Sequence, residues 1–332
     1  MTPVNTSTPL SAEDVERVAE AAGRAPSVHN TQPWRITVRR GDLQLSADAD
    51  RRLGVADPDG REMLISCGAA LYNLLLALRH LGHAPDVRLL PDSDYPHQLA
   101  VVHPDGGGPG PEGDADRYAA IPDRHTHRGD FTAAPLPAGL IDRLRRAAAA
   151  EHAELTVYTD EADIRALATV TELASYIHAR DGAYAAEHAR WMRAPDTARA
   201  DGINPADLPG TAPRGDPHFP PRFTDTTKPP PPAADTRATG TVAVLSTPAD
   251  TPRAWLHTGQ AMQRLLLDAT IEGVAAAIHT QPLEIPHLRE FIATEFTPGH
   301  HPQILLRLGH PTPEVDPTHS ARRPARDIIT HR

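Results

Sequence analysis

The sequence predicts an α+β protein in which two similar halves share one chain. Helix-period and strand-period patterns alternate along the 332 residues, and one long apolar helix pattern occurs twice. A proline-rich tract lies in the second half. We expect the first half over residues 1–113, the second over residues 114–332, and an insert at residues 194–240. Together they should form a pseudo-twofold monomer.

The first half is predicted to begin with a helix. Ser11 and Asp14 resemble a capping box, so this helix should run to about Gly23. A turn-rich loop follows between Pro26 and Pro33, since prolines interrupt helices. The remaining predictions are strands at 34–38 and 43–46, a helix at 62–81, strands at 87–90 and 98–103, and a flexible linker at 104–113.

The second half is predicted to repeat this order. Its elements are helices at 141–150, 164–178, 183–192 and 255–272, and strands at 155–158, 241–246 and 303–308. Prolines are so frequent between Ala194 and Gly240 that no regular element is expected there. A structureless insert of that length is usually a lid or a disordered segment.

An internal match supports the two-half organisation. Residues 67–82 align without gaps with residues 258–273; the coincident positions are Gly68/Gly259, Ala70/Ala261, the leucines 74–76/265–267 and Gly82/Gly273. A chance match of two leucine-rich helices is the alternative, but the bounding glycines favour duplication. Because both helices are apolar on all sides, we expect them to be buried and to pack together at the centre of the molecule.

Composition excludes several classes of function. The net charge of −10 disfavours nucleic-acid binding, and Cys67 alone cannot form an internal disulfide, a multi-cysteine zinc site or an iron–sulfur cluster. The 19 histidines are scattered, so no metal site is expected. No secretory signal is recognisable, and the apolar run at 67–78 is too short to span a bilayer. We therefore expect a cytoplasmic protein without membrane partners.

Two motifs carry the chemistry. Residues 25–34 read Ala-Pro-Ser-Val-His-Asn-Thr-Gln-Pro-Trp, which resembles the flavin-contacting loop of the nitroreductase superfamily. Residues 121–131 contain Arg124, Thr126 and Arg128 in a pattern that resembles the element with which this superfamily grips FMN. Each motif occurs in only one half. With the duplicated helix, the chain resembles the Acg family of FMN-binding oxidoreductases, a single-chain, pseudo-dimeric branch with a nitroreductase-like fold.

The arginine pair has a physical rationale of its own. Guanidinium groups bind phosphate oxygens through charge-assisted, often bidentate hydrogen bonds. Arg124 and Arg128 stand four residues apart around the hydroxyl of Thr126, which could serve a phosphate or a ribityl chain. A surface arginine pair is the alternative.

The resemblance implies that FMN binds non-covalently between the halves. It places Pro26, Ser27 and Val28 along the isoalloxazine ring, pairs Asn30 with the ring's uracil-like edge, and brings Arg322 to the phosphate with Arg124, Thr126 and Arg128. A backbone N–H for flavin N5 is expected from Ile278, His279, Thr280 or Gln281. We interpret Gln32 and Trp34 as structural. The candidates for the substrate side are His29, Trp191 and Phe219, and no catalytic side chain or metal is expected because the flavin carries the chemistry.

For several of these positions, a purely structural role is the alternative. Asn30 could simply form a turn, His29 could bond backbone groups, and residues 278–281 could be a buried strand that ends at a proline. Arg322 could belong to an exposed basic tail.

The function implied by the resemblance is hydride transfer from NAD(P)H, by way of FMN, to a small organic acceptor such as a nitroaromatic, a quinone or a specific metabolite. Two alternatives stay open: a non-catalytic FMN storage protein with a lid, and a flavin-dependent dehydrogenase or oxidase in small-molecule biosynthesis. No Gly-x-Gly-x-x-Gly fingerprint predicts a separate dinucleotide domain. The expected partner is a small molecule, and the chain should be a monomer or a weak homo-oligomer.

Overall fold

A computed structural model describes residues 10–108, 110–194, 197–205, 208, 219, 240–312 and 320–331. Most of the proline-rich insert, and with it the prediction of a lid or disordered segment, lies outside these residues. The helices are α1 Ala12–Gly23, α2 Arg61–His80, α3 Asp114–Ala120, α4 Ala138–Ala150, α5 Glu161–His178, α6 Gly182–Trp191, α7 Pro252–Ile271, α8 Pro286–Phe296 and α9 Ala325–Ile328. The strands are β1 Trp34–Arg39, β2 Asp42–Ala47, β3 His83–Leu89, β4 Gln98–Gly106, β5 Glu154–Tyr158, β6 Thr241–Thr247, β7 Ala275–His279, β8 His301–Gly309 and β9 Ile329–His331.

The strands form two sheets with a shared topology. The five-stranded sheet has the order β3-β4-β2-β1-β9, and the four-stranded sheet has the order β7-β8-β6-β5. Apart from β9, each sheet therefore arranges its four strands in the same succession, with antiparallel neighbours. A long helix follows the second strand in both cases, α2 in the first sheet and α7 in the second.

Helices α2 and α7 pack against each other through the duplicated glycines. A methyl group on Gly259 would lie 2.0 Å from the carbonyl oxygen of Ile65, and one on Gly68 would lie 2.2 Å from that of Leu256. Neither position has room for a side chain, so the backbones approach closely. Helix α2 is long and apolar enough to cross a bilayer, but 89% of the apolar window is buried inside the fold. It is the core helix that the sequence predicts.

Most predicted elements are confirmed, with instructive differences at their ends. Strand β3 begins at His83, not at Val87, and includes Pro85. Proline is tolerated there because β3 lies at the edge of its sheet. Strand β4 continues to Gly106, into the predicted linker. Helices α3, α8 and α9 and strands β7 and β9 were not among the predicted elements, although a strand at residues 278–281 was considered as an alternative. Helices α3 and α9 and strand β9 are too short to carry a clear period.

The C-terminal residues return to the first half of the chain. Strand β9 pairs in parallel with β1, with Ile329 opposite Ile36. The turn before it therefore passes the loop between α1 and β1, and this places Arg322 near the Pro-Ser motif.

Candidate functional site

One cavity gathers most of the residues that the two motifs predict. It encloses about 1080 Å³, a volume that includes the space open to solvent. Four separate segments supply the predicted residues of its walls: the loop after α1, the segment after α3, the end of β7 and the C-terminal turn. The predicted residues along it are Pro26, Ser27, Val28, His29, Asn30, Thr126, Arg128, Ile278, His279, Thr280 and Arg322.

Four other predicted residues are not among those that line it. Arg124 is buried, with an exposed fraction of 5%, and its Nη2 atom points to the carbonyl of Arg24 at 3.5 Å. Gln281 is buried in the short 3₁₀ turn that follows β7. Trp191 ends α6, where its carbonyl accepts a hydrogen bond from the N–H of Ile203.

Phe219 does not line the cavity, but its ring lies beside two residues that do, His279 and Arg307. Its ring centroid lies 5.3 Å from that of His279, among apolar residues of the second sheet. The expectation that Trp191 and Phe219 cover a ring in the cavity therefore finds no support among the described residues. Of the three substrate-side candidates, only His29 faces the cavity.

The Pro-Ser loop is held in a strained conformation. The Oγ atom of Ser27 accepts a hydrogen bond from the N–H of Gln32 at 2.9 Å, which closes the loop. His29, Asn30 and Gln32 have φ angles of 51°, 52° and 49°, in the left-handed region that side chains other than glycine rarely adopt. Such strain persists only where the surroundings impose it, and it concentrates at functional sites.

Gln32 and Trp34 are structural, as predicted. The Nε2 atom of Gln32 donates to the carbonyl of Ala200 at 2.8 Å, and its Oε1 atom accepts from the N–H of Arg323 at 2.8 Å. Trp34 is fully buried at the start of β1. The loop is thus joined to two segments that are far away in the sequence.

Asn30 differs from the expectation of a ring contact. Its Nδ2 atom donates to the carbonyls of Gly202, at 3.1 Å, and Ala321, at 3.0 Å. Its Oδ1 atom accepts from Nη1 of Arg322 at 3.1 Å. The side chain lines the cavity, but its carboxamide is engaged by the protein itself.

The arginine element lies alongside β7. Thr126 forms a bridge with Ala276, and the N–H of His127 donates to the carbonyl of Ala276 at 2.8 Å. This contact holds the element at the first residues of β7, whereas Ile278 and His279 form its other end. His279 lies three residue steps after Ala276 along the strand, which corresponds to about 10 Å. The cavity therefore has a cationic end and a second end where β7 leaves the sheet.

The cationic end has buried charge without a counter-ion among the described residues. The Nε and Nη1 atoms of Arg124 and the Nε atom of Arg322 are buried and have no hydrogen-bond partner. Burial, together with the charges of Arg322 and Arg128, lowers the pKa of Arg124 to about 9. Burial, with the charges of Arg24 and Arg128, lowers the pKa of Arg322 to about 10. This arrangement favours an anion with several oxygen atoms.

Several cavity residues escaped the sequence analysis. Glu62, Ile65 and Ser66 come from α2, Met262 from α7, and Ile304 and Arg307 from β8. Glu62 is buried and pairs with Arg61 at 3.0 Å, and Arg307 donates from Nε to Nε2 of His279 at 3.0 Å. Because a guanidinium only donates, that nitrogen of His279 accepts, so the ring is neutral and carries its proton on Nδ1. The available signals were charged residues in otherwise apolar elements, Glu62 in α2 and Arg307 in β8.

The chain is similar to known proteins over most of its length. Residues 6–54 match the model of the "Nitroreductase family". The protein "Putative NAD(P)H nitroreductase Rv3131" of Mycobacterium tuberculosis strain H37Rv is 35% identical over 92% of this chain and 88% of its own length. "Putative NAD(P)H nitroreductase acg" of the same strain is 30% identical over 97% of both chains. A solved nitroreductase with bound FMN from Desulfitobacterium hafniense DCB-2 aligns with 65% of this chain and 97% of its own, at 18% identity and a TM-score of 0.39.

The similarity to the mycobacterial proteins over nearly the full length decides the classification, and most residues of the two motifs that carried the resemblance lie around one cavity. The chain belongs to the nitroreductase family.

Proposed function

We propose that the protein is an FMN-dependent oxidoreductase that accepts hydride from NAD(P)H and passes it to a small organic acceptor. This proposal is carried by buried guanidinium nitrogens that have no hydrogen-bond partner among the described residues: the Nε atom of Arg322, which lines one end of the cavity, and two nitrogens of Arg124, which lies close enough for the charge of Arg322 to lower its pKa. A phosphate group supplies the charge and the oxygen acceptors that these atoms lack. The names of the mycobacterial relatives agree with the assignment.

The residues present fit FMN along the length of the cavity. Arg128 and Arg322 would bind the phosphate, with the hydroxyls of Thr126 and Ser320 beside it, and the buried Arg124, which does not itself line the cavity, would add positive charge next to them. The apolar walls at the cavity are formed by Ile65, Met262, Ile278 and Ile304. They suit an aromatic ring and exclude water from it.

When bound, FMN supplies the electron-transfer chemistry, and the chain supplies orientation and electrostatics. Residues 278–280 stand where β7 leaves the sheet and would present a backbone N–H to the ring. His279, fixed as a neutral donor by Arg307, would add a side-chain hydrogen bond without adding a charge. The strained loop at His29 would form the wall that a nicotinamide or an acceptor approaches.

We further propose that the two sheets descend from one duplicated unit. The strand order is the same in both, and the matched glycines of α2 and α7 meet at their crossing. In this interpretation, each half supplies what one subunit of a homodimer would supply.

The function is tested by loading the full chain with FMN and mixing it with NADH or NADPH without oxygen. We expect the visible flavin band to bleach and to return when a nitroaromatic or quinone is added. Arg322→Ala should weaken FMN binding about 10-fold or more, because a charge-assisted contact is lost. Arg326→Ala is the matched control, since Arg326 lies on the same C-terminal segment but is exposed.

Tight FMN binding without bleaching by either nucleotide would contradict the oxidoreductase proposal and favour flavin storage. Bleaching by a small metabolite alone would instead favour a biosynthetic dehydrogenase or oxidase. If the wild-type chain bound no FMN, the cofactor assignment itself would be wrong.

A further inference from the structure

The carboxamide of Asn30 joins three segments that are distant in the sequence. Its Nδ2 atom bonds Gly202 and Ala321, which are 172 and 291 residues away along the chain. Its Oδ1 atom bonds the guanidinium of Arg322. The main-chain carbonyl of Asn30 also accepts from the N–H of Gly202 at 3.2 Å. The residue therefore holds both a wall segment and the C-terminal turn.

These contacts leave Asn30 little capacity for a ligand. A primary amide has two N–H donors and one carbonyl oxygen, and here both donors face carbonyl groups of the protein. Turning the amide toward a ring would leave the buried carbonyls of Gly202 and Ala321 without that donor, which costs free energy. The left-handed backbone at Asn30, with φ 52°, aims the side chain at the C-terminal turn.

The same contacts determine how Arg322 lies. Its Nη1 atom also donates to the carbonyls of Ser320, at 3.0 Å, and Ala321, at 3.2 Å, within its own turn. Among the described residues, Asn30 is the only side chain that shares a hydrogen bond with Arg322. With Nη1 anchored in this way, the Nε atom stays buried, and no described residue accepts a hydrogen bond from it.

We propose that Asn30 is a positioning residue for the phosphate of the cofactor, acting through Arg322, and not a contact of the flavin ring. This inference rests on the proposed function, because it requires FMN as the ligand. It makes affinity for the phosphate group, and not for the ring, the quantity that Asn30 controls.

Comparing two flavins separates the two roles. Riboflavin has the same ring as FMN but lacks the phosphate. The dissociation constants of both are measured with apo-protein by the quenching of flavin fluorescence. For Asn30→Ala we expect FMN to bind about 10-fold more weakly and riboflavin to change less than about 2-fold. Arg322→Ala should change the two affinities in the same way. The double variant should bind FMN no more weakly than either single variant, because Asn30 acts through Arg322.

Gln32→Ala is the matched control. Gln32 bonds the same two segments, through Ala200 and Arg323, but does not touch Arg322. If Asn30 merely stabilised the fold, Gln32→Ala and Asn30→Ala would lower the melting temperature and the affinity for both flavins to a similar extent. Of these two variants, we expect only Asn30→Ala to lose the preference for FMN over riboflavin.

If Asn30→Ala does not fold, Asn30→Asp serves in its place. It keeps the shape of the side chain, and its carboxylate would pair with Arg322 and neutralise its charge. FMN affinity should then fall while riboflavin affinity stays near wild type.

Equal losses for the two flavins would overturn the inference and restore the ring contact. Additive losses in the double variant would overturn it as well. A wild-type chain that binds neither flavin would refute the proposed function, a result that is distinct from both.

Discussion

At the scale of single residues, Arg124 carries a buried positive charge that an anionic ligand would compensate. Its side chain is buried, two of its nitrogen atoms have no hydrogen-bond partner in the part of the chain that the structure describes, and the charges of Arg322 and Arg128 lie nearby. Burying a charge without a counter-ion costs free energy. The protein without its ligand therefore carries a cost that an anion at this position would remove.

Replacing Arg124 with Met should separate stability from binding. The substitution removes a buried charge while it keeps an apolar stem of similar length, so the ligand-free protein should become more stable by about 0.5–2 kcal/mol. FMN should bind at least about 10-fold more weakly. Urea unfolding of the apo-protein measures the first effect and flavin fluorescence the second. A loss of stability without a loss of affinity would show that Arg124 has a structural role.

At the scale of elements, helices α2 and α7 cross at the centre of the fold and help to form the cavity. Both helices contribute to the cavity, through Glu62, Ile65 and Ser66 on α2 and through Met262 on α7. Their close approach depends on Gly68 and Gly259, where an added methyl group would overlap the backbone of the other helix. Separating the helices would therefore also displace one wall of the site.

Gly259→Ala should destabilise the protein by about 1–3 kcal/mol, because the facing backbone has to move. Flavin affinity should fall with it, since the walls of the cavity move apart. Gly139→Ala in α4 is the control, because a methyl group there meets nothing within 4 Å. Chemical denaturation with both variants measures the difference. Equal stability in the two would mean that α2 and α7 can separate without cost.

At the scale of the whole molecule, the two sheets are alike but their connections are not. Ten residues, 24–33, link α1 to β1 and form the strained loop, whereas three residues, 151–153, link α4 to β5. The arginine element at 124–128 precedes α4 and lies beside β7. The two halves thus contribute different parts to the same cavity.

This asymmetry predicts one FMN per chain. Two equal sites would require a second Pro-Ser loop after α4, and the three-residue connection has no room for one. Titrating apo-protein of known concentration with FMN should give a ratio of about one, with size-exclusion chromatography recording the oligomeric state. A ratio near two would contradict the inference that the two halves contribute different parts to one site.

Local patterns were sufficient for most of the longer elements and for much of the site. The capping residue Ser11, the apolar period of α2 and the alternation in β1 and β2 are short-range signals, and the elements formed as predicted. The Pro-Ser and arginine motifs likewise identified residues that the fold brings to one cavity. Trp191 and Phe219 were proposed without such a motif, from their positions next to and within the proline-rich insert, and neither lines the cavity.

The sequence by itself determined the alternation of helices and strands and the residue types able to hold a phosphate, because those properties depend on composition and on spacing within a few turns, and its two motifs carried the resemblance to the family. Only the tertiary structure decided which atoms are already engaged. Asn30 meets Gly202, Ala321 and Arg322 because β9 pairs with β1 and because the segment after α6 lies against the loop. Contacts between segments so distant in the chain leave no periodic trace in the sequence, since they arise only when the whole chain packs.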